Sequence, residues 1–185
     1  MCGIAGELRF DGAAPEPATL KRMVARLARR GPDGEGLHFD GPAALGHRRL
    51  AIIDLTDRSR QPMVDPATGL ALVFNGTIYN YPQLRAELIG KGHVFHSDGD
   101  TEVILRAYAE WGDDCVARLH GAFAFAIWDR LAGTLFLARD RLGIKPLYYS
   151  LDDRRLRFAS SPQALLAAGD VDTSIDAEAL HHHLT

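Results

Sequence analysis

The chain has 185 residues, is 46% hydrophobic and carries a formal charge of −3, which favours one globular domain over two and excludes a disordered chain. Acidic and basic residues are interspersed, so no single-sign field is available to hold nucleic acid or a membrane surface. Two cysteines, Cys2 and Cys115, make neither a disulfide framework nor a zinc pattern; no apolar run approaches about 18 residues and no signal peptide precedes Cys2, so the expected compartment is the cytoplasm.

Met1-Cys2-Gly3-Ile4-Ala5-Gly6 opens the chain. If the initiator methionine is trimmed, Cys2 carries a thiol and a free α-amine on one residue. With reference pKa values of about 8.5 and about 7.7–8.0, the amine can take the thiol's proton near neutral pH, directly or through one water. That makes a nucleophile with its own base, the cysteine counterpart of an N-terminal threonine. The alternative is a free cysteine acting as a small buried hydrophobe.

Residues 4–10 read as a strand, and Pro15 and Pro17 lead into a helix over 19–30. On that helix Lys21, Arg22, Arg26, Arg29 and Arg30 alternate with Leu20, Met23, Val24, Leu27 and Ala28 at helical spacing, which reads as a solvated basic face. The glycine-rich segment 30–36 reads as loop and fits neither common phosphate-binding spacing. Apolar runs at 43–45, 50–55 and 70–74 read as strands, with loops at 57–63 and 65–69. A helix over 81–90 takes Pro82 in its first turn, and a second over 101–111 lines up Val103, Ile104, Ala107, Tyr108 and Trp111. Runs at 122–128, 134–138, 147–149 and 156–159 follow as strands, then a helix to 168 capped by Ser161 and another capped by Asp176 that reaches the end of the chain. Regular strand-helix alternation is missing, so the expected class is α+β, two antiparallel sheets face to face with helices outside. The stop at Thr185 reads as a domain edge.

A thiolate attacking a carbonyl needs donors for the developing oxyanion and groups that hold the far end of the substrate. Asn75-Gly76 offers an amide side chain and a closely approaching backbone N–H, although Asn-Gly between apolar runs reads first as a hairpin turn. Of the adjacent Arg48 and Arg49 only one can face a given cavity, where a guanidinium suits a carboxylate; the plain alternative is two surface arginines. Residues 97–102 cluster acids at a helix start but lack the glycine and glutamate of a calcium loop, leaving Asp100 or Thr101 as N-cap, or a carboxylate for a substrate ammonium. His181, His182 and His183 point three ways on a helix and read as surface, with no metal site.

The order of these elements is more specific than any one of them. MCGIAG at 1–6, RRGPDGEG at 29–36, LGHRRLAIIDL at 45–55, QPM at 61–63, FNGTIYNY at 74–81, SDGDTEVIL at 97–105, GAFAFAIWD at 121–129 and RDRLGIKPLYY at 139–149 together resemble the glutaminase domain of asparagine synthetases, class II glutamine amidotransferases of the N-terminal-nucleophile hydrolase type. The resemblance implies a four-layer α/β/β/α sandwich spanning residues 1–185 that hydrolyses L-glutamine to glutamate and ammonia through a Cys2 thioester. It implies Cys2 as nucleophile, Asn75 and Gly76 as oxyanion hole, Arg49 on the glutamine carboxylate and Asp100 on its ammonium. By the same resemblance the backbone of Leu50, Ala51, Ile52 and Ile53 is expected to line the pocket, and Thr77 to stand where many relatives have glutamate. It implies no cofactor in this domain. ATP and Mg belong to a C-terminal synthetase domain whose Ser-Gly-Gly-x-Asp-Ser loop does not occur here. The expected partners are that domain and, as an open option, a second copy of the chain. Ser160-Ser161-Pro162-Gln163, where many relatives carry Ser-Glu, leaves the ammonia acceptor open between aspartate and another such as N-acetylglutaminylglutamine. A glutamine-binding module without turnover is the alternative from another class.

Overall fold

Strands β1 (Gly3–Arg9) and β3 (Ala43–Arg49) alternate their side chains between two faces, and both faces are apolar. Ile4, Ala43 and Leu45 point one way into a cluster with Ala71, Val73, Ala124, Ala126 and Phe158. Ala5 and Ala44 point the other way, against Leu20, Met23, Val24 and Leu27. A strand buried on both faces must lie inside a layered fold, and the computed structural model, which describes residues 1–174 and 176–184, shows this arrangement. The expectation concerning Thr185 lies outside the described residues.

The remaining elements in chain order are α1 (Pro17–Ala25), β2 (Gly34–Asp40), β4 (Met63–Asp65), β5 (Leu70–Ile78), α2 (Tyr81–Gly90), α3 (Asp100–Trp111), α4 (Cys115–Arg118), β6 (Gly121–Asp129), β7 (Thr134–Arg139), β8 (Tyr148–Leu151), β9 (Arg155–Ala159), α5 (Pro162–Leu166) and α6 (Ala177–Leu184). One sheet has the order β2-β3-β1-β9-β8 and the other β4-β5-β6-β7. All pairings are antiparallel. Helices α1 and α5 cover the outer face of the first sheet; α2 and α3 cover the second through Leu72, Phe74, Leu84, Leu88, Val103, Ile104 and Phe125. The α/β/β/α sandwich is therefore present, and each large aliphatic or aromatic side chain fully buried in it contributes about 1.5–3 kcal/mol relative to exposure.

Several local expectations fail for identifiable reasons. Helix α1 stops at Ala25 instead of residue 30, and the chain tightens into turns bonded back to Leu27. Gly31 permits this, since a Cβ there would lie 2.4 Å from the Arg48 carbonyl. The supposed loop to residue 36 already contains the start of β2, paired Gly34↔Arg49 with β3. The apolar run 50–55 is no strand but an irregular loop, with Ile52 73% and Leu55 72% exposed. Asn75-Gly76 is no hairpin turn: both residues lie inside β5, opposite Ala124 and Phe123. Neither Asp100 nor Thr101 caps α3; the Asp100 carboxylate bonds the Ile78 N–H, Thr101 accepts from Gln61, and Glu102 takes the N–H groups of His96 and Ser97. Ser161 does cap α5, accepting from the Ala164 N–H. His181 and His182 are exposed on α6, and the side chain of His183 lies outside the described residues.

Candidate active site

The face that β1, β3 and β5 turn toward the inter-sheet core is apolar in mid-strand and polar at one end. Continuing the alternation from Ile4 gives Cys2, from Leu45 gives His47 and Arg49, and from Val73 gives Asn75 and Thr77. Gly3 pairs with Arg48, so the start of β1 and the end of β3 meet at this edge. A cavity of about 100 Å³ opens there, lined by Met1, Cys2, Arg49, Leu50, Ile52, Ile53, Ser59, Gln61, Phe74, Asn75, Gly76, Thr77, Asp100, Thr101 and Lys145. It is several times the size that holds one water and well below the roughly 300 Å³ at which drug-sized pockets begin, a scale suited to a ligand like a free amino acid.

Cys2 Sγ lies 3.3 Å from the Leu50 N–H, which donates to it, and 3.5 Å from the Leu50 carbonyl. Its own carbonyl accepts from Arg30 Nε at 3.0 Å. Arg30 is thus no part of a solvated basic face. It reaches inward beneath Cys2, burial lowers its guanidinium below the ordinary value, and its Nη2 is buried without a protein partner. Only the premature end of α1 lets it turn inward, so helical spacing alone conceals it. Across the cavity Asn75 is 1% exposed and its Nδ2 is also buried without a protein partner. Such orphaned donors are rare in folded proteins and cost about 1–3 kcal/mol unless something else satisfies them.

Strand β5 explains a second free donor. Its neighbour β4 ends at Met63, opposite Leu72, so beyond that point the outer edge of β5 has no strand beside it. The alternate N–H groups on that edge belong to Phe74, Gly76 and Ile78. Gln61 Oε1 takes the first at 2.6 Å and Asp100 Oδ2 the third at 3.0 Å. The Gly76 N–H between them is left to the cavity. Only glycine fits there, because a Cβ would lie 2.3 Å from the Ala122 carbonyl.

Opposite charges sit beyond these donors. Arg49 faces the cavity and its Nη2 donates to the Asp54 carbonyl at 2.6 Å, whereas Arg48 turns outward to Glu35 at 2.6 Å. The Asp54 carboxylate accepts from Thr56, from Ser59 Oγ at 2.7 Å and from the Asp98 N–H at 3.0 Å, and these bonds hold it below the usual carboxylate range. Residues 50–60 are thereby anchored as a cavity wall. Asp100 is 5% exposed, and burial raises its carboxyl above the ordinary value despite the Ile78 N–H. A cation in the cavity would compensate that charge.

The structure therefore brings together Cys2, Arg49, Leu50, Ile52, Ile53, Asn75, Gly76, Thr77 and Asp100. Ala51 is the exception: it faces the neighbouring groove beside Asp33, whose carboxylate accepts the Ala51 N–H at 2.9 Å. Ser59, Gln61, Thr101 and Lys145 also line the cavity, although none of them has a place in the site expected from the sequence. Lys145 comes from a loop that Asp140 organises by accepting the N–H groups of Ile144 and Lys145.

An asparagine synthetase (glutamine-hydrolysing) of Bacillus subtilis is 41% identical over 95% of this chain and 29% of its own length. A putative counterpart from Methanocaldococcus jannaschii is 36% identical over 93% of this chain and 36% of its own length. The chain thus spans about a third of these relatives. Glutamine phosphoribosylpyrophosphate amidotransferase of B. subtilis superposes with a TM-score of 0.76 at 23% identity, covering 92% of this chain and 44% of that one, and so shares the fold. No helix among the described residues is long and apolar enough to cross a membrane. The family model for the glutamine amidotransferase domain matches residues 1–185, and the chain belongs to that family.

Proposed function

We propose that this domain, once Met1 is removed, hydrolyses the side-chain amide of L-glutamine through a Cys2 thioester. The observation that carries the reading is the unpaired Asn75 Nδ2, buried in the same cavity as the Cys2 thiol and beside the Gly76 N–H. The α-amine of Cys2 takes the thiol proton, and the thiolate adds to the amide carbon. The negative charge moves to the amide oxygen, held by Asn75 Nδ2 and the Gly76 N–H. Collapse breaks the C–N bond, the leaving nitrogen takes the proton from the ammonium, and ammonia departs. Water, deprotonated by the same amine, then opens the thioester to glutamate.

In this assignment Arg49 exchanges its bond to the Asp54 carbonyl for the glutamine carboxylate, and Asp100 takes the ammonium. Leu50, Ile52 and Ile53 form the wall, with Thr77 next to the oxyanion donors; Ala51 supports the loop from outside. The domain uses no cofactor of its own. The longer relatives are named as glutamine-hydrolysing asparagine synthetases, and in this proposal the ammonia feeds a synthetase domain that uses ATP and Mg, with aspartate as acceptor and the cytoplasm as compartment. The departure at Ser160-Ser161-Pro162-Gln163 keeps another acceptor such as N-acetylglutaminylglutamine as the second reading.

Glutamate release by the trimmed chain tests the proposal. Arg49→Lys replaces a planar fork with a point charge and should raise KM for glutamine about 10- to 100-fold with kcat little changed, the loss of one charged hydrogen bond. No glutamate from the trimmed wild-type chain rejects the activity, and an unchanged KM in the variant rejects the role of Arg49.

A further inference from the structure

The donors assigned to the oxyanion lie on a stretch of β5 that keeps β6 on one side but has no strand on the other, where two buried side chains do the holding. Continuing the register Met63↔Leu72 by two residues sets Gln61 opposite Phe74. Main-chain pairing cannot continue there. The Gln61 carbonyl, which the ladder would need, turns to Gly36, where a Cβ would lie 2.0 Å from that oxygen. The Gln61 side chain substitutes for the missing strand, with Oε1 accepting the Phe74 N–H at 2.6 Å and Nε2 donating to Thr101 Oγ1 at 3.2 Å.

From the opposite sheet His47 reaches across the inter-sheet gap, its Nε2 3.2 Å from the Phe74 carbonyl. A carbonyl only accepts, so Nε2 carries the proton. Burial pushes the imidazole pKa down to about 4, which leaves a neutral ring whose single N–H is committed to this bond. His47 is absent from the cavity lining, and Gln61, though it lines the cavity, has both amide atoms engaged.

We infer that His47 and Gln61 are positioning residues for glutamine hydrolysis: gripping Phe74 on both its N–H and its C=O, they fix the two peptide planes that flank it and so the direction in which the Asn75 amide and the Gly76 N–H are aimed. The Phe74 C=O and the Asn75 N–H share one peptide plane, so a rotation there redirects the Asn75 side chain and, one residue on, the Gly76 N–H. Strand β6 holds the Asn75 N–H edge of that plane, and on the open β4 side only these two side chains resist the rotation. The inference rests on the roles given to Asn75 and Gly76 above.

The test uses the trimmed chain with His47→Leu and Gln61→Met, which remove the bonds, and with His47→Gln, which restores an amide N–H near the position of Nε2. Both removals should lower kcat for glutamate release about 10- to 100-fold, the scale of a 1 Å misplacement, while KM stays within about twofold. His47→Gln should recover most of the loss. Amide hydrogen exchange supplies a readout independent of turnover: the Phe74 N–H should exchange at least about tenfold faster in Gln61→Met, with the Val73 N–H, which faces β6, unchanged. Should His47→Leu not fold, Gln61→Met decides alone. Unaltered exchange, unaltered kcat, or parallel changes in kcat and KM overturn this inference while wild-type turnover leaves the glutaminase reading standing; a wild-type chain that releases no glutamate overturns both.

Discussion

Cys2→Ala, in a chain freed of Met1, should lose glutamate release by about a millionfold, the scale seen when a hydrolase loses its nucleophile. The other hydroxyl groups around the cavity offer little substitute. Ser59 Oγ donates to the Asp54 carboxylate and Thr101 Oγ1 accepts from Gln61, so both are engaged in holding walls, and the third hydroxyl, that of Thr77, has no α-amine of its own to act as base. Glutamine affinity should stay within about threefold, because Arg49 and Asp100 are untouched and a contact made only in the transition state contributes nothing to the ground state. Isothermal titration with the variant, beside a coupled glutamate assay, separates the two effects. Turnover within tenfold of wild type would mean that the thiol is not the attacking group.

Asn75→Ala should lower kcat about 100- to 1000-fold with KM nearly unchanged, the cost of one oxyanion donor in a water-poor site. In the folded protein the Asn75 Nδ2 has no partner to lose, so the variant forfeits no protein hydrogen bond at that atom. Activity and stability should therefore separate: a large fall in kcat with a small change in unfolding midpoint. Equal kcat in variant and wild type would move the oxyanion elsewhere, for instance to the Gly76 N–H and water alone. A fall in kcat matched by a rise in KM would make Asn75 a general substrate contact.

Much of this architecture was legible because its strands are buried on both faces. Runs such as 70–74 and 122–128 are continuously apolar since helices cover one side and a second sheet the other. Polar or glycine-rich edge segments were not legible. Strand β2 carries Gly34, Glu35, Gly36 and His38 at a sheet edge, where backbone pairing with β3 and not side-chain burial decides the structure. The run 50–55 misled in the opposite direction: its apolar residues form the wall of a cavity and a partly exposed loop, so their hydrophobicity reflects a binding surface instead of a strand.

At the site, the alternation rule allowed only one of Arg48 and Arg49 to face the cavity and the family resemblance chose Arg49; the structure places Arg49 on the cavity and Arg48 against Glu35. Arg30 was invisible because its role depends on where α1 stops. Gln61 and His47 were invisible for a related reason, since neither has meaning until β4 is seen to end short of β5. Thr77 lines the cavity as expected.

The central claim is that the α-amine of Cys2 is the base, and it depends on one covalent difference. With Met1 attached, the Cys2 nitrogen is an amide and cannot take a proton, and Met1 itself lines the cavity. The decisive measurement is single-turnover glutamate release by two samples whose amino termini are established by intact mass, one retaining Met1 and one trimmed to Cys2. The trimmed form should turn over glutamine at least about 100- to 10,000-fold faster, the range attributable to a positioned general base. Equal rates in the two forms would contradict the account.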